Sequence, residues 1–209
     1  MENFSSENSN AAIRPTAAGL DDRQAVPDQA AAERWLQRYY FGRALFGIAW
    51  VVAAVMAGPG SPFAAALLVI LYPAWDALAN VADLSRSGGL RRNRTQAFNA
   101  VASAAVALTV AIALPDMHRV LGIFGTWAIV SGLLQLATAL GRRKTRGAQW
   151  PMIASGAQST LAGAFFVYQA GMPAMPSLAT LTGYAGFGAF YFLVAALALA
   201  MRRRHRKVR

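Results

Sequence analysis

The stretch PFAAALLVILYPAWDALANVADL, residues 62–84, holds no Lys or Arg and only two acids, Asp76 and Asp83. As a helix rising 1.5 Å per residue it would be about 35 Å long, enough to cross the roughly 30 Å hydrocarbon core of a bilayer. Five further segments have the same character: Tyr39–Ala57, Gln96–Leu114, Val120–Leu140, Trp150–Gln169 and Leu178–Met201. Of the 20 Lys and Arg residues, all but Arg43, near the start of the first segment, and Arg119 fall before the first segment, in alternate connections (Arg86–Arg94 and Arg142–Arg146) or after the last segment. Basic residues mark the cytoplasmic side of membrane proteins, so this alternation predicts six spans with both termini in the cytoplasm. The opposite turns are short and marked by breakers, GPGSP at 58–62 and GMPAMP at 171–176. The expectation is an all-α integral membrane protein, a six-transmembrane-helix bundle built from three helical hairpins.

Composition agrees with that class. The chain has 56% apolar and 14% charged residues, against about 25% charged for an ordinary soluble domain. A net charge of +11 would suggest nucleic acid if the basic residues formed one stripe, but they cluster in short loops at segment ends, so nucleic acid is not an expected partner. With no Cys, disulfides, thiolate metal sites and thiol catalysis are excluded. Residues 1–35 read as a cytoplasmic tail, largely disordered to about Asp28, with QAAAERWLQRYYF at 29–41 forming a short helix into the first span. Residues 36–201 form the membrane domain and 202–209 a basic cytoplasmic tail. The expected partners are the bilayer itself and anionic lipid headgroups at the basic loops and tail.

The second and fourth spans repeat each other weakly. A shift of 55 residues places Tyr72, Asp76, Asn80 and Asp83 on Trp127, Ser131, Gln135 and Thr138, each set on one helical face. A shift of 112 brings in Tyr184, Gly188, Phe192 and Ala195, where the aromatic persists and the polar stripe is gone.

The stretch WAIVSGLLQLATALGRRKTRGAQWPMIASGAQSTLAG, residues 127–163, resembles the HdeD-like acid-resistance family of small bacterial membrane proteins. An aromatic-led helix with Ser131 and Gly132 in its middle, a basic turn at 142–146, Trp150 opening the next helix, and Gly156 and Gly163 along it carry the likeness. The resemblance implies six spans, a bacterial inner (plasma) membrane and a part in acid or general stress tolerance. It transfers no catalytic residue.

Asp76 is the one carboxylate well inside a span, about 10 Å deeper than Asp83 if the latter marks the membrane boundary. A carboxylate at that depth is costly and is by default a functional candidate. Asn80 and Asp83 continue its face, so the set reads either as a proton or cation path or as a polar seam pairing helices. Arg43 lies too deep in the first span to reach water easily; it either snorkels or pairs with Asp76 or Asp83. Ser131 and Gln135 complete the candidate intramembrane polar site. Ser155, Ser159 and Gly163 form a small-residue face suited to close helix packing, within the bundle or between copies in a homo-oligomer. His118, in the one charged outer turn, is a solvated loop residue or a sensor of external pH. No nucleophile–base pair, metal-ligand set or phosphate loop can be assembled, so neither catalysis nor a cofactor is expected. The readings that remain are a stress-tolerance protein of HdeD-like type, a small proton-coupled transporter or channel using the Asp76/Asn80/Asp83 face, and a structural module that binds a partner protein.

Overall fold

A computed structural model of the chain describes residues 17–57, 60–86, 89, 93–144 and 149–208, with the backbone alone for 17–29 and 206–208. The described residues form six helices: α1 (Ala17–Ala57), α2 (Pro62–Arg86), α3 (Arg94–Ala113), α4 (Met117–Arg142), α5 (Trp150–Ala170) and α6 (Leu178–Val208). Residues 1–16, Arg91, Arg92, Arg146 and Arg209 lie outside the description. Helix α1 begins at Ala17, so 17–28 is helical where the sequence reads as disordered tail; the Ala-rich run that follows is a good helix former and carries the helix back. The basic tail likewise continues α6, and Arg203 donates to Gln37 Oε1 at 2.8 Å, tying the end of α6 to α1.

Five of these helices, α1 from Ala30, α2, α3, α4 and α6 to His205, are long and apolar enough to cross a membrane. Helix α5, expected as a span, has 21 residues but is not in this group, and Ser155, Gln158, Ser159, Thr160 and Gln169 lie along it. Its buried face holds Ser155, Gly156, Ser159 and Gly163, while Leu161 and Phe165 stand exposed on the outside. The other helices follow the same plan, with Leu45, Phe63, Leu108 and Phe187 facing outward. An apolar exterior around a more polar interior suits lipid surroundings.

The helices pack in chain order round a closed ring, each against the next and α6 against α1. The closest pairs are α4 with α5, α1 with α6, and α2 with α3, whereas α1 and α2 touch least. These are not the hairpins that the short outer turns mark in the sequence. Turns fix connectivity, but glycine decides how near two backbones come. A Cβ on Gly125 would lie 2.7 Å from the Gly163 carbonyl oxygen, and one on Gly132 2.8 Å from that of Gly156, so only glycine permits the α4–α5 crossing. The α1–α6 pair is close for a similar reason, Gly47 lying against Ala189.

Candidate functional site

Inside the ring is a chamber of about 80 Å³ lined by residues of all six helices. Towards the short-turn end it is bounded by aromatic packing in which Tyr72 is the hub. Its ring meets Trp50 at 5.0 Å, Trp127 at 6.0 Å and Tyr184 at 6.2 Å, with Phe124 and Phe166 buried behind. Pro73 lies within the continuous helix α2 beside this hub and supplies no N–H to the preceding turn. The carbonyl of nearby Leu68 accepts a hydrogen bond from Trp50 Nε1 at 2.8 Å.

Asp76 lies midway along the chamber wall and is 5% exposed. Its carboxylate forms a salt bridge with the Arg43 guanidinium and accepts from Ser103 Oγ at 2.7 Å, Asn80 Nδ2 at 2.9 Å and Asn99 Nδ2 at 3.4 Å. Donors from α1, α2 and α3 thus converge on one acid. Arg43 also donates to the Tyr39 hydroxyl at 3.0 Å, and its guanidinium lies 4.5 Å from the centre of the Phe192 ring. Trp127 Nε1 donates to Ser103 Oγ at 2.9 Å, which brings α4 into the same network.

Asp83, nearer the basic end of α2 than Asp76, is fully buried among protein side chains. It pairs with Arg142 at 2.7 Å and accepts from Gln96 Nε2 at 2.8 Å and Trp35 Nε1 at 3.4 Å. The acid is covered because α1 extends past it and lays Trp35 over it, and because Arg142, the last residue of α4, turns inward. This second ion pair bounds the chamber at the end where the basic residues gather. Two turns of α2 therefore carry two neutral, hydrogen-bonded charge pairs.

Ser131 and Gln135 line the chamber too, but they bond elsewhere: Ser131 Oγ donates to the Trp127 carbonyl at 2.6 Å and Gln135 Nε2 to the Met152 carbonyl at 3.3 Å. Ser155 faces the chamber rather than a neighbouring helix. Ser159 joins three elements, donating to the Ala128 carbonyl at 3.0 Å and lying 2.8 Å from the Tyr184 hydroxyl. Gly163 is in the α4–α5 crossing. Outside the chamber, His118 Nδ1 is 3.2 Å from the Ala170 carbonyl oxygen, and Asp116 caps α4 through the His118 and Arg119 amides. Among the described residues no group of His, Cys, Asp and Glu could hold a metal ion.

Sequence reasoning passed over Gln96, Asn99 and Ser103 on α3, and it took Arg142 for a loop charge. A signal for Gln96 and Asn99 exists in a shift of 56 residues along the odd-numbered helices. It aligns Tyr40 with Gln96 and Met152, and Arg43 with Asn99 and Ser155, and all six line the chamber. With Tyr72, Trp127 and Tyr184 from the even-numbered helices, three successive helix pairs present corresponding positions to one cavity.

A family model described as a short repeat of unknown function (DUF308) matches residues 97–168, from α3 through most of α5. The chain is a membrane-type helical protein with a DUF308 segment. No curated protein and no solved structure matches it.

Proposed function

We propose that this chain is a non-enzymatic, six-span protein of the bacterial inner membrane whose chamber admits a small polar solute, in a stress-tolerance setting of the HdeD-like kind. The observation that carries the chamber reading is a polar cavity built from all six helices and bounded by aromatic rings at one end and the Asp83–Arg142 pair at the other. A purely structural seam would bring its polar groups into contact with one another and leave no such space. The stress setting rests on the family resemblance alone. In this reading α5 is the fifth of six spans, its polar face turned to the chamber and its apolar face to lipid, and both chain ends lie on the cytoplasmic side with the basic loops. A proton path along Asp76, Asn80 and Asp83 has less support, because each acid is saturated by donors and would have to break an ion pair to pass a proton.

The absence of native Cys makes the test direct. In Gln158→Cys the thiol faces the chamber, while in Leu161→Cys it faces outward. Thiolate forms only where water reaches, so methylmercury, a thiol reagent no larger than such a solute, should label Gln158→Cys in intact vesicles roughly tenfold faster or more than Leu161→Cys. Equal and slow labelling of the two would rule out an accessible chamber.

A further inference from the structure

From the chamber's pattern of satisfied and unsatisfied groups we infer its ligand class: an uncharged hydrogen-bonding solute of urea or small-amide size, and not an ion. The inference rests on the accessible chamber proposed above and names what that chamber takes.

The charged residues of the lining are matched among themselves. Arg43 is bound by Asp76 and Tyr39 and packed on Phe192, and Arg142 is bound by Asp83. An ion entering alone would find no unmatched opposite charge, and it would have to break one of these pairs or remain uncompensated in a poorly solvated space. The neutral polar groups differ. Asn99 is 7% exposed, and its amide nitrogen is held towards Asp76, which turns Oδ1 away with no hydrogen-bond partner. Ser155, 6% exposed, has no hydrogen bond among the described residues, and the same is true of Gln158 and the Tyr72 hydroxyl. All four residues line the chamber, and they come from α2, α3 and α5. Buried polar groups are nearly always paired, so an unpaired set converging on one cavity describes its occupant. That occupant both donates and accepts, because the Ser155 and Tyr72 hydroxyls and the Gln158 amide each offer both functions. An apolar cavity of about 150 Å³ holds benzene, so about 80 Å³ suits roughly four heavy atoms.

Urea and guanidinium share a planar four-heavy-atom frame and differ in charge, and nitrate is the corresponding anion. In proteoliposomes of the full chain, with the membrane potential clamped by potassium and valinomycin, labelled urea should enter several-fold faster than into protein-free vesicles. Labelled guanidinium should show no such gain, and excess nitrate should leave urea entry unchanged. Gln158→Leu removes a side chain without a hydrogen bond among the described residues, so it should fold as the parent does and lower urea entry several-fold, as should Ser155→Ala; the outward-facing Leu161→Ala should not. Entry of guanidinium at the rate of urea or faster, or competition by nitrate, would overturn the assignment. So would faster osmotic water flow without urea entry, which would mark a water path only. These failures differ from failure of the chamber itself, which appears as an unlabelled Gln158→Cys protein.

Discussion

A carboxylate in the middle of a membrane bundle persists as an ion only within a neutral, fully bonded set, and Asp76 has one in Arg43, Ser103, Asn80 and Asn99. Removing one partner of such a buried pair is worse than removing both, because it leaves a lone charge. Asp76→Asn should therefore destabilise the protein by about 3–5 kcal/mol, seen as a lower thermal unfolding midpoint in mild detergent. Asp76→Leu combined with Arg43→Met should recover most of that loss, since an apolar pair of similar volume needs no compensation. Wild-type stability in Asp76→Asn would show that the pair is not a clamp. Asp83→Asn should cost about as much, since Asp83 is fully buried against Arg142 and not held at a wet boundary. At this scale the sequence was readable where one residue type is improbable: an Asp or Arg inside an apolar run stands out by solvation cost. Asn99 and Ser103 do not, because small neutral polar residues in an Ala-rich helix cost little and are common in packing seams. Their importance comes from the acid on the next helix, a relation between segments that no single segment displays.

At the scale of helices, the α4–α5 crossing is set by two pairs of glycines spaced seven residues apart, Gly125 and Gly132 against Gly156 and Gly163. In Gly163→Ala the new Cβ would lie 2.5 Å from the Gly125 carbonyl oxygen, and backbone cannot yield as a flexible side chain can. The helices must separate, at a cost of about 1–3 kcal/mol. Gly186→Ala in α6 meets nothing within 4 Å and should be neutral or stabilising by up to about 1 kcal/mol. Unfolding midpoints of the two variants in one detergent would compare them, and a Gly163→Ala protein as stable as Gly186→Ala would show that the crossing is loose. Helix ends between Ala57 and Leu178 were legible in the sequence to within a few residues, because breakers and basic clusters punctuate the apolar runs, whereas the start of α1 and the end of α6 run past the apolar segments into the tails. Helix pairing was not. The outer turns join α1 to α2, α3 to α4 and α5 to α6, but contact follows the small residues, which bring together α4 and α5, and α1 and α6.

For the whole molecule, the ring explains why α5 differs from the other helices without leaving the bundle. A helix that contributes Ser155, Gln158 and Ser159 to a shared chamber must carry polar residues within its apolar run, and it is about 31 Å long by its 21 residues. Its neighbours depend on it: α4 packs on it more closely than any other pair in the ring. If α5 instead lay along the membrane surface, α6 would have to cross in the opposite sense, and the basic end of the chain would move to the far side from the loop at 142–146. Topology fusions separate these arrangements. Alkaline phosphatase, which is active only outside the cytoplasm, should be active when fused after Met117 or Pro173 and inactive after Lys144 or Arg206. Activity after Arg206 together with inactivity after Pro173 would remove α5 from the set of spans and open the ring. Activity after Lys144 would be a deeper failure, because it would place the Arg142–Asp83 end of the chamber on the outer face and reverse the charge bias on which the orientation rests.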